Sequence, residues 1–255
     1  MMLRFGGIVF GPIRSRRLGS SLGINLLPEG GKVCNFDCIY CECGWNRDGR
    51  SSDPLPTYEQ VYDAMQTTFS SLAAKGERVD SITFSGHGEP TLHPDFPRIV
   101  DAVLALRDKF LPGAAVSVLS NATTLGSDEV LQALRRVDNP ILKLDAPTDD
   151  LLAKINGPSG HVCVEDIVAG MERMNGQFIL QTMFLKGAQP DYETDTAALQ
   201  AWMEIVRRVR PRRIMAYTLD RPAPSEGLSA MSGKAMQSLL SPLSDEGFDI
   251  QINGK

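Results

Sequence analysis

The sequence lacks the segments that place a protein in a membrane or export it from the cell. No stretch approaches the roughly 18 apolar residues of a membrane-spanning helix. The first residues, Met-Met-Leu-Arg-Phe-Gly-Gly, lack the apolar run and the small-residue cleavage site of a secretory signal. We therefore expect a cytoplasmic protein with no membrane partner.

A strong excess of one charge is also absent, as are internal repeats and low-complexity tracts. The 26 Lys and Arg residues and the 31 Asp and Glu residues give a formal net charge of −5. This balance argues against a protein that coats nucleic acid, although it is compatible with a local basic groove. A chain of 255 residues with a hydrophobic fraction of 42% is long and apolar enough to bury a full core.

Cysteine is scarce, and its distribution is uneven. Of the five cysteines, Cys34, Cys38 and Cys41 fall within eight residues in a Cys-x3-Cys-x2-Cys spacing. Clustered cysteines without an export signal indicate a metal or catalytic site rather than disulfides. A closed structural zinc site needs four protein ligands. Three cysteines on a 4Fe–4S cluster instead leave one iron open, and we expect the chemistry there.

Strand and helix patterns alternate through the rest of the chain. Helical patterns with apolar residues at a 3.6-residue period separate short apolar runs, which predicts βα units with right-handed crossovers around a parallel sheet. Two β-like runs, 8–10 and 22–27, precede the cysteines. The later predicted strands cover residues 80–85, 115–119, 141–144, 177–185, 213–218 and 248–252. The predicted helices cover residues 58–74, 96–110, 128–136, 148–155, 164–174, 194–209 and 233–243.

These patterns amount to about six βα units, fewer than the eight of a closed barrel. The predicted fold class is α/β, a partial (β/α)6 TIM-like barrel with a short N-terminal β-like extension. We expect residues 1–255 to form a single domain. Within it, residues 1–30 hold the extension and the first strand, and residues 31–46 form the loop with the clustered cysteines.

Polar residues follow the predicted strands at their carboxyl ends, where ligands bind in such folds. The cysteine loop follows the first strand, Gly86–Thr91 the second, Ser120 and Asn121 the third, and Asp145 the fourth. Glycines without a Cβ let the backbone of Gly86–Thr91 approach a ligand closely. In the same segment, Glu89 offers a carboxylate suited to binding an ammonium group.

Two of these motifs resemble the radical SAM superfamily. The cysteine triad, with Tyr40 before its last cysteine, resembles the cluster motif of that family. Gly88-Glu89-Pro90 is similar to its Gly-Gly-Glu-Pro segment, with His87 in place of the first glycine. Three runs resemble a subgroup, the stand-alone radical SAM proteins related to the tRNA wyosine-synthesis enzymes. These runs are residues 10–19, 86–94 and 217–224.

The resemblance implies cofactors and a role for individual residues. Cys34, Cys38 and Cys41 would ligate a 4Fe–4S cluster, and S-adenosylmethionine would chelate the open iron through its amino and carboxylate groups. Glu89 would hold the amino group of the methionine moiety. The residues that the resemblance assigns to S-adenosylmethionine are Tyr40, Gly86, His87, Gly88, Glu89, Pro90, Ser120, Asn121, Asp145, Gln181 and Thr182.

The resemblance also implies a reaction. A reductant such as flavodoxin or ferredoxin would reduce the cluster, and one electron would cleave S-adenosylmethionine to a 5′-deoxyadenosyl radical that abstracts hydrogen from a substrate. The additional cysteine set of the wyosine enzymes is missing, so their pyruvate-condensing reaction is not carried over. The subgroup suggests a tRNA base as the substrate, with a small molecule or a peptide as the other classes.

The alternative function is a non-catalytic iron–sulfur or zinc module for electron transfer or binding, with Cys43 as a fourth ligand. The spacing of Cys41 and Cys43 is awkward for tetrahedral zinc, so we interpret Cys43 as a bystander. Cys163 is interpreted as a packing residue, and His87 as a hydrogen-bonding residue rather than an acid or base.

Two sets of basic residues allow a functional and a structural interpretation. Lys143 and Lys186 lie at strand ends, where either could form a Schiff base, although ordinary charge pairing is the simpler interpretation. The arginines between 207 and 213 lie at the end of a predicted helix, before a predicted strand. For them, interaction with the helix C-terminus is favoured over RNA binding.

Overall fold

A computed structural model describes residues 6–15, 17–48 and 53–254 of the chain. The described chain forms two compact units, each built from several segments. The first unit comprises Met1–Cys34, Asn46–Ser120 and Ser127–Pro140, and the second comprises Asn35–Trp45, Asn121–Gly126 and Ile141–Lys255. The expectation of a single domain over residues 1–255 stays a prediction.

In the residues that the structure describes, the first unit contains four strands and three α-helices. The strands are β1 (Val9–Ser15), β2 (Gly19–Ile24), β3 (Ser81–Phe84) and β4 (Ala115–Ser120). The helices are α1 (Tyr58–Lys75), α2 (Phe96–Phe110) and α3 (Asp128–Arg136), with 3-10 turns at Asn46–Asp48 and Pro90–Leu92. Strand β1 pairs antiparallel with β2, whereas β2, β3 and β4 are parallel.

The second unit continues the same alternation. Its strands are β5 (Asn139–Lys143, whose first two residues belong to the first unit), β6 (Ile179–Met183), β7 (Leu185–Lys186), β8 (Arg213–Tyr217), β9 (Ser229–Ala230) and β10 (Ile250–Asn253). Its helices are α4 (Asp149–Asn156), α5 (Val164–Arg173), α6 (Thr196–Val209) and α7 (Gly233–Asp245). Strands β6, β8 and β10 are parallel neighbours, and β7 pairs antiparallel with β9.

The strand order confirms the predicted fold class. The order in the main sheet is β1-β2-β3-β4-β5-β6-β8-β10. Strands β2, β3, β4, β5, β6 and β8 are each followed by at least one helix before the next strand of this sheet, which makes six βα units. This is the α/β arrangement of a partial TIM-like barrel, with β1 as the N-terminal β extension.

Local sequence signals explain where several helices begin and end. Helix α1 begins at a capping box, in which the Thr57 hydroxyl accepts from the Gln60 N–H (3.3 Å) and the Gln60 side chain accepts from the Thr57 N–H (2.8 Å). It ends at Gly76, whose φ of 64° is the left-handed conformation that glycine adopts readily. On its inner face, Met65 and Phe69 are fully buried.

Several strands differ from the sequence prediction, and β2 covers Gly19–Ile24 rather than residues 22–27. Strand β1 continues through the turn-rich basic segment, because an irregular register between Phe10 and Ile13 accommodates Pro12, which has no N–H to donate. The strand predicted over residues 177–185 ends at Met183, and β7 starts a separate antiparallel pair. Strand β9 was not predicted, and Arg16, within the run 10–19, lies outside the described residues.

Among the residues that the structure describes, no helix is both long enough and apolar enough to cross a membrane.

Candidate active site

In the first unit, the turn after β3 is shaped by two glycines that could not carry a side chain. Gly86 and Gly88 have φ values of 153° and 140°. A Cβ on Gly86 would lie 2.2 Å from the side-chain oxygen of Asn25, and a Cβ on Gly88 would lie 1.9 Å from the carbonyl oxygen of Val33. The backbone of the turn therefore packs directly against the segment that leads into the cysteine loop.

Hydrogen bonds on both sides of Gly88 fix this contact. The N–H of Val33 donates to the His87 carbonyl (2.8 Å), and the N–H of Glu89 donates to the Val33 carbonyl (3.1 Å). Val33 directly precedes Cys34. The structure thus places the first cysteine of the triad one residue from a backbone bridge to the Gly-Glu-Pro segment.

Glu89 is held in place by its neighbours. Only 3% of the residue is exposed. Its carboxylate accepts from the Thr91 N–H (3.1 Å) and the Thr91 hydroxyl (2.6 Å), which caps the 3-10 turn that starts at Pro90. A buried carboxylate with a fixed orientation suits the recognition of a cationic group. Its role toward a methionine amino group stays a prediction.

His87 is buried and hydrogen-bonded to Asn25. The side-chain oxygen of Asn25 accepts from the N–H groups of Leu27 (3.3 Å) and His87 (3.1 Å), which fixes the orientation of the amide. Its NH₂ group then lies 3.2 Å from Nδ1 of His87. Because an amide NH₂ only donates, Nδ1 accepts and a neutral His87 carries its proton on Nε2. This arrangement favours the interpretation of His87 as a hydrogen-bonding residue.

In the second unit, the cysteine loop is joined to the loop that contains Asn121. The Asn121 amide donates to the Asn35 side-chain oxygen (2.6 Å), and the Asn35 amide donates to the Thr123 hydroxyl (2.7 Å). Thr123 in turn donates its N–H to the Asn121 oxygen (3.1 Å). The predicted site residue Asn121 therefore supports the residue that follows Cys34.

Asp145 and Asn156 are fully buried at the centre of a polar network in the second unit. The Asn156 amide donates to the Asp145 carboxylate (2.8 Å) and lies 3.3 Å from Cys38 Sγ. The Tyr40 hydroxyl also donates to Asp145, and the Met183 N–H donates to its second oxygen (2.9 Å). The Asp145 carboxylate thus has three donors from the protein itself.

Lys143 completes this network, which we call the Asp145 network (Tyr40, Lys143, Asp145, Asn156 and Tyr217). Its ammonium donates to the hydroxyls of Tyr40 (2.9 Å) and Tyr217, and lies 3.9 Å from Asp145. Burial pulls the pKa of Lys143 down, but Asp145 and Tyr217 outweigh it, so the pKa is raised. A protonated amine is not a nucleophile, which favours charge pairing over a Schiff base.

The same burial acts on the groups beside Lys143. The pKa of Cys38 is raised to about 11, first of all by burial and then by Cys41 and Asp145, while Lys143 and the Asn156 hydrogen bond oppose the shift. Burial and the Asp145 charge also hold the pKa of Tyr40 well above its ordinary value. At Cys38, burial therefore disfavours the thiolate more strongly than the neighbouring donors favour it.

The other predicted cofactor residues lie within β6 or at the end of β4, with different local contacts. Ser120 is buried at the end of β4. Thr182 donates its hydroxyl to the Leu144 carbonyl (2.8 Å), and the Gln181 amide lies 3.8 Å from the Met215 sulfur. The Thr182 hydroxyl is thus hydrogen-bonded to the backbone that follows the neighbouring strand β5. The roles of these residues toward a cofactor stay predictions.

The remaining cysteines differ in their environment. All five cysteines lie in the described part of the chain and form no disulfide. Cys41 and Cys43 are half-buried in the cysteine loop, and Cys163 is half-buried directly before α5, more exposed than a core packing residue. Among the described residues, no three His, Cys, Asp or Glu side chains surround one ion-sized point.

The loop after β8, which carries part of the subgroup resemblance, contacts the cysteine loop in the second unit. Arg221 forms an ion pair with Glu42, and the Ser225 N–H donates to the Ile39 carbonyl (3.2 Å). No pattern in the sequence predicted these contacts. Asn25, Asn35 and Asn156 were missed for the same reason, since a single polar residue near a strand or helix end resembles an ordinary cap or turn residue.

The Gly88 contact generates a stability prediction. We expect Gly88→Ala to lower the free energy of unfolding by roughly 2–4 kcal/mol, because the added Cβ meets the Val33 carbonyl and disrupts two backbone hydrogen bonds. Urea denaturation measures this loss. The matched control is Gly113→Ala, where nothing lies within 4 Å of the added Cβ. Equal stability of the two variants would contradict the structural role of Gly88.

Comparison with known proteins identifies relatives over most of the chain. The family model for the Radical SAM superfamily matches residues 29–198. The UPF0026 protein slr1464 of Synechocystis sp. is 32% identical over 222 residues, covering 85% of this chain and 77% of that protein. A protein of Brachyspira hyodysenteriae named GTPase Obg is 29% identical over 233 residues. That match covers 90% of this chain, which spans only 32% of that relative's length.

Solved structures share the fold at low sequence identity. A radical SAM methyltransferase from Sphaerobacter thermophilus superposes with a TM-score of 0.65 at 14% identity, covering 91% of this chain and 65% of that one. TYW1 with a lysine-pyruvate adduct gives 0.63 at 16% identity, covering 91% and 76%. Streptococcus suis SuiB bound to S-adenosylmethionine gives 0.62 at 14% identity, covering 90% and 50%.

The family match covers the cysteine triad, the Gly88-Glu89-Pro90 segment and the Asp145 residue at the centre of the second unit. The α/β fold agrees with that match. The chain belongs to the radical SAM superfamily.

Proposed function

We propose that this protein is a radical SAM enzyme with a single 4Fe–4S cluster on Cys34, Cys38 and Cys41. A cluster on these three cysteines would leave one iron open to S-adenosylmethionine, and an external reductant such as flavodoxin or ferredoxin would supply the electron. When bound, these two cofactors supply a 5′-deoxyadenosyl radical that abstracts hydrogen from the substrate. The family membership supports the cofactors, and the residue roles rest on the geometry of each unit.

The observation that carries the proposal is the Val33 bridge in the first unit. Two backbone hydrogen bonds and the Gly88 contact hold Val33 against the Gly-Glu-Pro segment. This bridge supports a function in which a metal ligand and a cation-binding carboxylate act together, because Cys34 and Glu89 each directly follow a residue of the bridge. Besides capping its turn through Thr91, the Glu89 carboxylate offers a binding group for a cofactor ammonium, which an isolated metal module does not require.

The residues present fit the cluster and the cofactor. The three cysteines of the triad form no disulfide, and a cysteine thiolate is the usual protein ligand of a cluster iron. Cys38 lies where burial excludes water, and Asn156 and Lys143 stabilise negative charge on its sulfur. Glu89 presents a buried carboxylate to a methionine ammonium, and the Gly86–Gly88 backbone has no side chain to block a close approach.

The cysteine triad generates the main activity prediction. After anaerobic reconstitution with iron and sulfide and reduction with dithionite, we expect the protein to convert S-adenosylmethionine to 5′-deoxyadenosine, measured by liquid chromatography. We expect Cys41→Ala to lower this rate at least about a hundredfold, because one iron loses its ligand. Cys163→Ala and Cys43→Ala are the matched controls and keep the activity.

Metal analysis of the same samples separates the alternative function. Iron together with acid-labile sulfide supports the proposal, whereas zinc without sulfide supports a zinc-binding module. Absence of 5′-deoxyadenosine from cluster-loaded protein would contradict the proposed reaction.

The substrate class rests on less direct support. The resemblance to the tRNA wyosine-synthesis enzymes favours a tRNA base. The exposed arginines near the end of α6 do not add to this support. Arg207 pairs with Glu246, Arg208 with Glu165 and Glu172, and Arg213 with Asp249. A small molecule and a peptide are the other substrate classes.

A binding measurement tests the tRNA class. If a tRNA base is the substrate, total tRNA should shift the protein in a native gel at low salt, and the affinity should fall steeply as salt is raised, because phosphate contacts release counterions. Duplex DNA of similar length is the control for non-specific electrostatic binding to a phosphate backbone. Absence of a tRNA shift at low salt would exclude this class in favour of a small molecule or a peptide.

A further inference from the structure

Backbone carbonyls at the C-terminal end of α4 accept hydrogen bonds from the residues on both sides of Cys38. The Asp37 N–H donates to the Asn156 carbonyl (2.8 Å), and the Ile39 N–H donates to the Ile155 carbonyl (3.0 Å). Helix carbonyls in the last turn lack partners within the helix, so these bonds also satisfy the end of α4. The backbone of Asn156 is thereby fixed relative to Cys38.

The side chain of Asn156 faces three acceptors. Its Nδ2 atom lies 2.8 Å from the Asp145 carboxylate, 3.2 Å from the Tyr40 hydroxyl and 3.3 Å from Cys38 Sγ. The residue is fully buried. Its Oδ1 atom accepts no hydrogen bond from any residue that the structure describes.

Chemistry fixes the orientation of this amide. A carboxylate only accepts hydrogen bonds, so the side of Asn156 that faces Asp145 must be the NH₂ group. One of its two hydrogens goes to Asp145. The Tyr40 hydroxyl already accepts from the Lys143 ammonium at 2.9 Å. The second hydrogen is therefore available to the sulfur of Cys38, and an anionic metal-bound sulfur is the stronger acceptor.

The unpartnered Oδ1 gives independent support for a role of the NH₂ group. A buried acceptor without a donor loses its hydrogen bonds to water and forms none within the protein, which costs free energy. Such atoms are therefore rare and call for an explanation. Here the NH₂ group has more acceptors than hydrogens, while the oxygen has no donor. The contacts of Asn156 in this site are therefore made by its NH₂ group and not by its oxygen.

We propose that Asn156 is a positioning residue that donates a hydrogen bond to the cluster-ligating sulfur of Cys38 and thereby raises the reduction potential of the cluster. This inference rests on the proposed function. Reduction adds negative charge to the cluster and its sulfur ligands, so a hydrogen bond to a ligand sulfur stabilises the reduced form more than the oxidised form. Asn156 thus makes the cluster easier to reduce.

A redox titration of the reconstituted protein, followed by electron paramagnetic resonance, tests the inference. We expect Asn156→Leu, which keeps the approximate size without the donor, to shift the midpoint potential to more negative values. At a fixed solution potential the ratio of reduced to oxidised cluster should fall about tenfold, which corresponds to about 59 mV for a one-electron couple. Asn156→Ala, which adds no bulk, should shift it in the same direction.

Tyr192→Phe is the matched control. The Tyr192 hydroxyl is buried and donates to the Asp145 backbone carbonyl (2.8 Å), so its loss perturbs the same region without removing a donor to sulfur. This variant should keep the wild-type potential. A second readout is the shift of the iron–sulfur stretching frequencies in deuterated water by resonance Raman spectroscopy, which should be smaller in both Asn156 variants than in the wild type.

The outcomes separate the inference from the proposed function. If wild-type protein binds no iron and sulfide, the proposed function fails and the inference fails with it. If wild-type protein carries the cluster and the Asn156 variants keep its potential, the inference alone is wrong. If both Asn156 variants fail to take up iron and sulfide while Tyr192→Phe does so, Asn156 serves cluster assembly, which also overturns a role in the potential.

Discussion

The close approach of the Val33 carbonyl to Gly88 is the contact on which the Gly-Glu-Pro turn and the start of the cysteine loop depend. The carbonyl oxygen occupies the space where any other residue would carry a Cβ, and the hydrogen bonds on either side of it require that position. One consequence is that the backbone directly before Cys34, at Val33, is held in a fixed position. A second is that Glu89 starts a capped turn with its carboxylate buried. A glycine thereby joins a predicted metal ligand to a predicted cofactor ligand.

The second unit fixes Cys38 by a different means. Carbonyls at the end of α4 bind the N–H groups on both sides of this cysteine, and the Asp145 network lies beside its sulfur. This network holds a cation, a carboxylate, two tyrosine hydroxyls and an amide in a buried space, so nearly every polar atom needs a partner. The positions of these groups are consequently coupled, and charge on the Cys38 sulfur meets a preformed set of donors.

Much of the fold followed from the sequence because local signals and the global alternation agree. Helices α2 and α3 have the predicted bounds. The six βα units follow from the alternation of short apolar runs with helical patterns of 3.6-residue period. The pair of β7 and β9 could not be predicted, since each strand has two residues and its partner lies far along the chain. The site was half predictable. The cysteines and the Gly-Glu-Pro segment form local motifs, whereas Asn156 lies 118 residues from Cys38 and carries no motif.

The proposed function requires three cysteines to hold a four-iron cluster whose remaining iron binds S-adenosylmethionine. Mössbauer spectroscopy of ⁵⁷Fe-reconstituted protein tests this most directly, because it distinguishes an iron with a changed ligand set from its neighbours. Addition of S-adenosylmethionine should change the signal of one iron in four, and Glu89→Gln should weaken the concentration dependence of that change. A spectrum that S-adenosylmethionine leaves unaltered at all irons would contradict the account.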